Sequence, residues 1–121
     1  MAEGTSRTAP EAASEDTLAP LRAHLDPKAF REIVTLYETT VRDRAGALAA
    51  AAAIRDFEAV RRNAHDLAGM CGQLGGSRAS ALARRIEGAC AGGKGGDALA
   101  LVPDLAPAVD ETLARLAGYD L

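Results

Sequence analysis

The sequence predicts an all-α fold, an antiparallel up-and-down four-helix bundle with a short additional N-terminal helix. Apolar residues recur at steps of three and four in four successive segments, which is the period of amphipathic helices. Hydrophobic residues make up 48% of the 121-residue chain, but aromatic residues only 3%, and tryptophan is absent. This composition suits helix packing and lacks the aromatic side chains that β-sheets favour. The length predicts a single domain.

The N-terminal residues differ in composition from the rest of the chain. Residues 1–16 are small, polar and acidic without hydrophobic periodicity, so they cannot bury enough apolar surface to offset the entropy lost on ordering. We predict a flexible tail over residues 1–16 and the helical domain over residues 17–121. Three leucines at helical spacing predict the short first helix: Leu18, Leu21 and Leu25.

Two long helices follow, and an acidic residue precedes each of them. Asp26-Pro27 combines an N-cap with a proline at the first helical position, and Asp56 supplies the second cap. The first apolar stripe consists of Phe30, Ile33, Val34, Tyr37, Val41, Ala45 and Leu48. The second consists of Phe57, Val60, Ala64, Leu67, Cys71 and Leu74, and that helix is predicted to stop at Gly75-Gly76.

The last two helices carry weaker boundary signals. Ser77 is predicted to cap a helix that ends at a flexible GGKGG segment, residues 92–96. Its stripe consists of Ala79, Leu82, Ala83, Ile86 and Cys90. The final stripe consists of Leu99, Val102, Leu105, Val109, Leu113 and Leu116. Pro103 and Pro107 lie within it and are expected either to delay the start of the helix or to kink it.

Charge and hydropathy exclude two classes of partner. The net charge is −3 and there is no lysine-rich run, so we expect no nucleic-acid binding. The longest apolar run, residues 45–54, is far shorter than the ~20 residues of a membrane span, so we expect no membrane insertion. Residues 57–90 are mildly basic, which fits either a solvated helical face or a docking surface for an acidic partner. Without a secretory signal, we expect a cytoplasmic location and reduced cysteines.

His65 is the residue that most strongly suggests a function. It follows Ala64 of the buried stripe by one position, which places it about 100° away at the edge of the buried face, where we expect it to be exposed. A neutral imidazole is a competent nitrogen nucleophile. The residues expected to lie one or two turns away on the same helix are Arg61, Arg62, Ala68, Gly69 and Gly72.

The small residues after His65 need an explanation, because a glycine inside a helix costs about 1 kcal/mol against alanine. One hypothesis is that Ala68, Gly69 and Gly72 leave a bare surface on which another folded domain brings its active site to His65. The alternative is that Gly69 and Gly72 allow a neighbouring helix to pack closely, beside an ordinary surface histidine.

The run Ala64-His65-Asp66-Leu67-Ala68-Gly69-Met70-Cys71-Gly72-Gln73-Leu74-Gly75, followed by a helix with Leu82 and Ile86-Glu87, resembles the histidine phosphotransfer (HPt) domain. The signature of that family is alanine, histidine, any residue, leucine, lysine, glycine, several small residues, then leucine and glycine. The approach Asp56-Phe57-Glu58-Ala59-Val60 is also similar. The resemblance extends from about Leu18 to Leu116.

The resemblance implies a phosphoryl carrier in a multistep phosphorelay. His65 would accept a phosphoryl group from an aspartyl phosphate of a receiver domain and pass it to another receiver aspartate. The partners would be receiver domains of response regulators and of hybrid sensor histidine kinases. The chain would be a monomer, not an enzyme, and would bind no cofactor, since Mg²⁺ and most catalytic groups belong to the receiver.

The sequence departs from the family at one position, where Ala68 replaces the lysine whose cation can lie near the phosphoryl group. Arg61 or Arg62, one turn before His65, is the candidate replacement. Gly69 matches the family glycine and is carried over as a docking residue. Gln73 is either a solvated side chain or one that orients the phosphoryl group through its amide.

Other functions fit the sequence less well. A metal site would require His65, His24, Cys71 and Cys90 to converge, and a Cys–His pair would require His65 and Cys71 to do so. Cys71 lies six residues after His65, about 240° around the helix and on the apolar stripe, so the two side chains diverge. Buried free thiols are the better interpretation of Cys71 and Cys90. A kinase would need a nucleotide-binding glycine loop after a strand. The remaining alternative is a docking module that binds a receiver or another signalling partner without being phosphorylated. The chain is also compatible with being the phosphotransfer segment of a larger multidomain kinase.

Overall fold

The computed structural model describes residues 18–118, and in that part of the chain the fold is all-α, as the sequence predicts. The predicted tail, residues 1–16, lies outside the described residues. The helices are α1 (Leu18–His24), α2 (Pro27–Ala53), α3 (Phe57–Gln73), α4 (Ser77–Ala91) and α5 (Gly95–Ala117).

Both predicted acidic caps are present. Asp26 lies in an extended conformation before Pro27, and its Oδ1 accepts the N–H of Ala29 at 2.9 Å. Asp56 accepts the N–H of Ala59 at 3.2 Å in the same way. Each cap satisfies one of the amide groups that the first turn of a helix leaves unpaired, which fixes the starts of α2 and α3.

The turn between α3 and α4 differs in detail from the prediction for Ser77. The N-cap of α4 is Gly76, which makes no side-chain cap hydrogen bond, and Ser77 is the first helical residue. A Cβ at Gly76 would overlap the side chain of Thr112 on α5, so the close packing against α5 requires a glycine at this position. Gly75 precedes it with φ of 78°, a left-handed conformation that glycine adopts without strain.

The four long helices form the predicted bundle, in which each packs against its neighbours: α2 on α3, α3 on α4, α4 on α5, and α5 back on α2. The short α1 packs on α2, and its Leu18 is buried. Every helix contributes large, fully buried side chains to the core: Leu18, Val41, Leu48, Val60, Leu67, Ile86 and Leu116. Two turns of three residues between α2 and α3 and between α3 and α4 make these neighbours antiparallel.

The last helix begins earlier than the sequence suggests. Residues 95 and 96, predicted to be flexible, form the first turn of α5. A Cβ at Gly95 would lie 2.5 Å from the ring of Phe57, so the glycine lets the start of α5 lie against the start of α3. Pro103 and Pro107 are exposed and lie inside one continuous helix, so of the two alternatives, a delayed start or a kink, the delayed start is wrong. A proline removes an intrahelical hydrogen bond, and exposure leaves the freed carbonyl accessible to water.

Within residues 18–118, none of the helices combines the length and the apolar composition that a membrane span requires.

Candidate functional site

His65 lies midway along α3 and is exposed, as its position beside the buried Ala64 predicts. Its side chain is 69% exposed, whereas Ala64 is fully buried. Ten residues separate it from Arg55 in the preceding turn and eleven from Gly76 in the following one. At a rise of 1.5 Å per residue, His65 is about 15 Å from the turns at either end of α3. The histidine is therefore presented on the side of the bundle rather than at its tip.

Glu87 on α4 orients the imidazole. Its Oε2 lies 2.9 Å from Nδ1 of His65, and its side chain is 28% exposed. A carboxylate only accepts hydrogen bonds, so the Nδ1 of His65 carries the hydrogen and Nε2 of the neutral ring keeps its lone pair. The hydrogen bond thus leaves Nε2 as the ring nitrogen with an available lone pair.

The sequence interpretation missed Glu87, although the chain carries a signal for it. Glu87 lies eleven residues after Gly76, and His65 lies eleven residues before it. Residues equidistant from the turn of an antiparallel helix pair lie at the same height. Each also follows a buried residue, Ala64 or Ile86, so both occupy the edge of the same helix contact.

On the opposite flank of α3, an ion pair joins α2 to the residue after the histidine. Arg44 Nε lies 3.4 Å from Asp66 Oδ2. Arg44 and Asp66 each lie eleven residues from Arg55, which adopts a left-handed conformation with φ of 58° in the α2–α3 turn. The sequence interpretation did not consider Arg44, which lies on a different helix from His65.

Two shallow hollows meet at His65, and Arg44 and Asp66 line both of them. The arginine hollow contains these three residues together with Arg61 and Arg62. The glycine hollow contains the same three with Gly69 and Gln73, and it is bordered by Thr40 and Met70. The groove between α2 and α3 therefore passes directly beside the histidine.

Arg61 and Arg62, the predicted electrostatic partners, both interact with Glu58. Arg61 donates to the two carboxylate oxygens of Glu58, from Nη2 at 2.6 Å and from Nε at 3.3 Å, and Arg62 Nη1 lies 3.6 Å from the same carboxylate. The hydrogen bonds from Arg61 hold the pKa of Glu58 below its usual value, and those to Glu58 raise the pKa of Arg61. Both cations thus lie near His65 and share one carboxylate, so the three groups together keep one net positive charge.

Ala68 does not belong to the exposed surface on which the sequence interpretation placed it. It is 3% exposed and faces the core, and its carbonyl accepts a hydrogen bond of 2.8 Å from the buried hydroxyl of Ser80 on α4. Residue 68 follows the buried Ala64 by four positions, so it lies within the apolar stripe. The side chain of Ala68 is therefore not part of the exposed surface beside His65.

Gly69 is exposed, and a Cβ added there would have no neighbour within 4 Å. The alternative that Gly69 exists for close helix packing is therefore wrong. Gly72 is half-buried two turns after His65, and Gln73 is exposed in the glycine hollow. The surface next to the imidazole is bare on the side of Gly69.

The two cysteines are free thiols in different surroundings. Cys71 is fully buried, as predicted, and burial raises its pKa to about 11 despite a hydrogen bond with Thr112. Cys90 is only half-buried, and its pKa is also raised by burial. Among residues 18–118, no group of three or more histidine, cysteine or acidic side chains is placed to hold a metal ion.

These features together define a class of protein. An exposed histidine lies in the middle of a four-helix bundle, one of its ring nitrogens is hydrogen-bonded to a carboxylate, and a bare helix surface lies one turn away. The class is a helical domain that presents an exposed imidazole on the side of the bundle. A family model for the Hpt domain matches residues 32–119, which is more than half of the chain. The chain belongs to the HPt domain family.

Domains of this family carry phosphoryl groups on histidine in phosphorelays, as phosphocarriers rather than catalysts, and they interact with receiver domains of response regulators. The match begins within α2 and includes all of α3, α4 and α5, so the whole surface around His65 lies inside it. A search of curated proteins and a search of solved structures each found no match.

Proposed function

We propose that His65 accepts a phosphoryl group from an aspartyl phosphate on one receiver domain and passes it to the aspartate of another. The donor and recipient are receiver domains of a hybrid sensor histidine kinase and of a response regulator. The observation that carries this proposal is the exposed imidazole whose Nδ1 is hydrogen-bonded to Glu87, which leaves Nε2 as the nucleophile.

The chemistry follows from that hydrogen bond. The Nε2 lone pair of His65 attacks the phosphorus in line, the bond between phosphorus and the aspartyl oxygen breaks, and its electrons leave with the receiver carboxylate. The hydrogen stays on Nδ1, so the phosphorylated ring becomes an imidazolium cation. The carboxylate of Glu87 faces that cation at 2.9 Å and stabilises it. Transfer to the next receiver reverses these steps.

The partner supplies what this chain lacks. The receiver binds Mg²⁺, which neutralises charge on the transferring phosphoryl group, while this chain contributes position and a nucleophile. Gly69 gives the receiver room to approach, since no side chain projects there. Gly72, half-buried two turns after His65, would extend this surface, and the amide of Gln73, exposed in the glycine hollow, would orient the phosphoryl group. We also propose that the chain acts as a monomer in the cytoplasm.

The experiment is phosphoryl transfer from a panel of labelled, phosphorylated receiver domains. The wild-type chain is expected to take up acid-labile label, and the His65→Gln variant to take up none. The matched control is His24→Gln, because His24 is the second histidine of the chain and is exposed on α1. The control is expected to be labelled as the wild type is.

The alternative docking function predicts a different result. If a receiver binds the wild type and His65→Gln equally but transfers label to neither, the chain is an unphosphorylated docking module. Label that persists in His65→Gln would place the acceptor on another residue and would overturn the proposal.

A further inference from the structure

We propose that Arg44 is the side chain that binds the phosphoryl group on His65, and that it leaves Asp66 to do so. This inference rests on the proposed function and names the residue that replaces the lysine absent at position 68. Neither Arg61 nor Arg62, the candidates from sequence, takes that role.

The position of Arg44 follows from the orientation of the imidazole. Nδ1 of His65 is held by Glu87 on the α4 flank of α3. The two nitrogens of an imidazole point to different sides of the ring, so Nε2 is directed away from α4. Arg44 lies on α2, the helix on the other flank, and lines both hollows that meet at His65. A phosphoryl group on Nε2 would therefore lie on the side of Arg44.

The guanidinium of Arg44 is held weakly enough to change partner. Among the described residues, Arg44 makes one ion pair, the 3.4 Å contact of its Nε with Asp66, and no hydrogen bond. The two side chains are 45% and 48% exposed, and pairs of this kind contribute little. A phosphoryl group offers three acceptor oxygens and nearly two negative charges against the single charge of Asp66, and it matches the planar donor fork of arginine.

The other nearby cations are either held more firmly than Arg44 or less well placed. Arg61 donates two hydrogen bonds to Glu58, the shorter at 2.6 Å, and would have to break both to reach a phosphoryl group. Arg62 is held no more tightly than Arg44, at 3.6 Å from the same carboxylate. Arg61 and Arg62 line only the arginine hollow, however, whereas Arg44 lines both of the hollows that meet at His65.

The test measures the ionisation of the phosphoryl group itself. His65 is phosphorylated with phosphoramidate in a chain that carries His24→Gln, and the second pKa of the phosphoryl group is obtained from a ³¹P NMR titration. A bound cation lowers this pKa, because it favours the dianion. Arg44→Gln is expected to raise it by about 0.5, and Arg44→Lys to restore part of the difference.

Arg42→Gln is the matched control, since Arg42 is an exposed arginine of the same helix that pairs with Glu38 at 3.4 Å. It is expected to leave the pKa of the phosphoryl group unchanged. Asp66→Asn removes the competing carboxylate and is expected to lower the pKa of the phosphoryl group. The decrease should be larger when Arg44 is present than in the Arg44→Gln background. A double-mutant cycle measures this difference as the coupling between the two residues.

The outcomes separate this inference from the proposed function. If phosphoramidate and phosphorylated receivers both fail to label His65, the proposed function fails. If His65 is labelled but Arg44→Gln titrates like Arg42→Gln, the carrier function stands and the role of Arg44 is overturned. A rise in pKa with Arg61→Gln or Arg62→Gln, and none with Arg44→Gln, would assign the role to that arginine.

Discussion

The bare surface at Gly69 leads to a prediction in which stability and function change in opposite directions. Gly69 lies in helical backbone and has open space where a Cβ would be. Gly69→Ala should therefore gain the full difference in helix propensity, about 1 kcal/mol in the free energy of unfolding. For a bundle of this size the gain corresponds to about 4–8 °C in Tm. Gly69→Leu should keep most of it.

The same leucine should impair the reaction with a receiver. Its side chain would project one turn from His65, where the receiver has to approach. A steric conflict of about 1.4 kcal/mol lowers affinity tenfold, so we expect KM for a phosphorylated receiver to rise about tenfold or more. Labelling by phosphoramidate should change less than about twofold, because so small a donor needs no helix surface.

The assay pairs thermal unfolding with transfer rates from both donors, and Gly46→Leu is the control. Gly46 is exposed on α2 and also has open space at its Cβ position, so the control should gain similar stability. It should react normally with the receiver. If Gly69→Leu transfers from a receiver as well as Gly46→Leu does, Gly69 is not a docking residue and the argument from its bare surface is wrong.

Three further predictions concern orientation and packing. Glu87→Gln keeps an acceptor for Nδ1 of His65 but removes the charge, so the transfer rate should fall about tenfold in a rapid-quench assay. Burial raises the pKa of Cys71 to about 11, so as the pH rises the unfolded state loses this proton before the folded state does. The free energy of unfolding, measured by urea titration, should therefore fall between pH 9 and 11. Cys71→Ala should lack this fall. Gly76→Ala should cost about 1–3 kcal/mol in the same titrations, because its Cβ overlaps Thr112.

The helices and their caps could be predicted because their signals are local. Asp26 and Asp56 each need only the amide three residues later, and the apolar stripes need only the helical period. The same period could have placed Ala68 in the core, since it follows Ala64 by four residues. That error came from grouping Ala68 with Gly69 as small residues, although the two face different directions.

The features that were missed depend on contacts between helices. The sequence predicts a flexible segment at residues 92–96 because glycines there suit a loop, but Gly95 serves to let α5 approach Phe57. The cap of α4 is Gly76 rather than the predicted Ser77, and Gly76 lies against Thr112 of α5. In both places the contacting residue is distant in sequence, so no local sequence pattern predicts the contact.

Three helices, α2, α3 and α4, contribute side chains to the site around His65. In each helix pair, α2 with α3 and α3 with α4, residues equally far from the connecting turn lie at one height. Arg44 therefore lies beside Asp66, and Glu87 beside His65. The α4 flank fixes the proton on the ring and the α2 flank offers a cation, which leaves the solvent side to the partner. Because this alignment depends on the length of the two turns, one residue inserted at Arg55 would move Arg44 relative to His65 while leaving the contact with Glu87 in place.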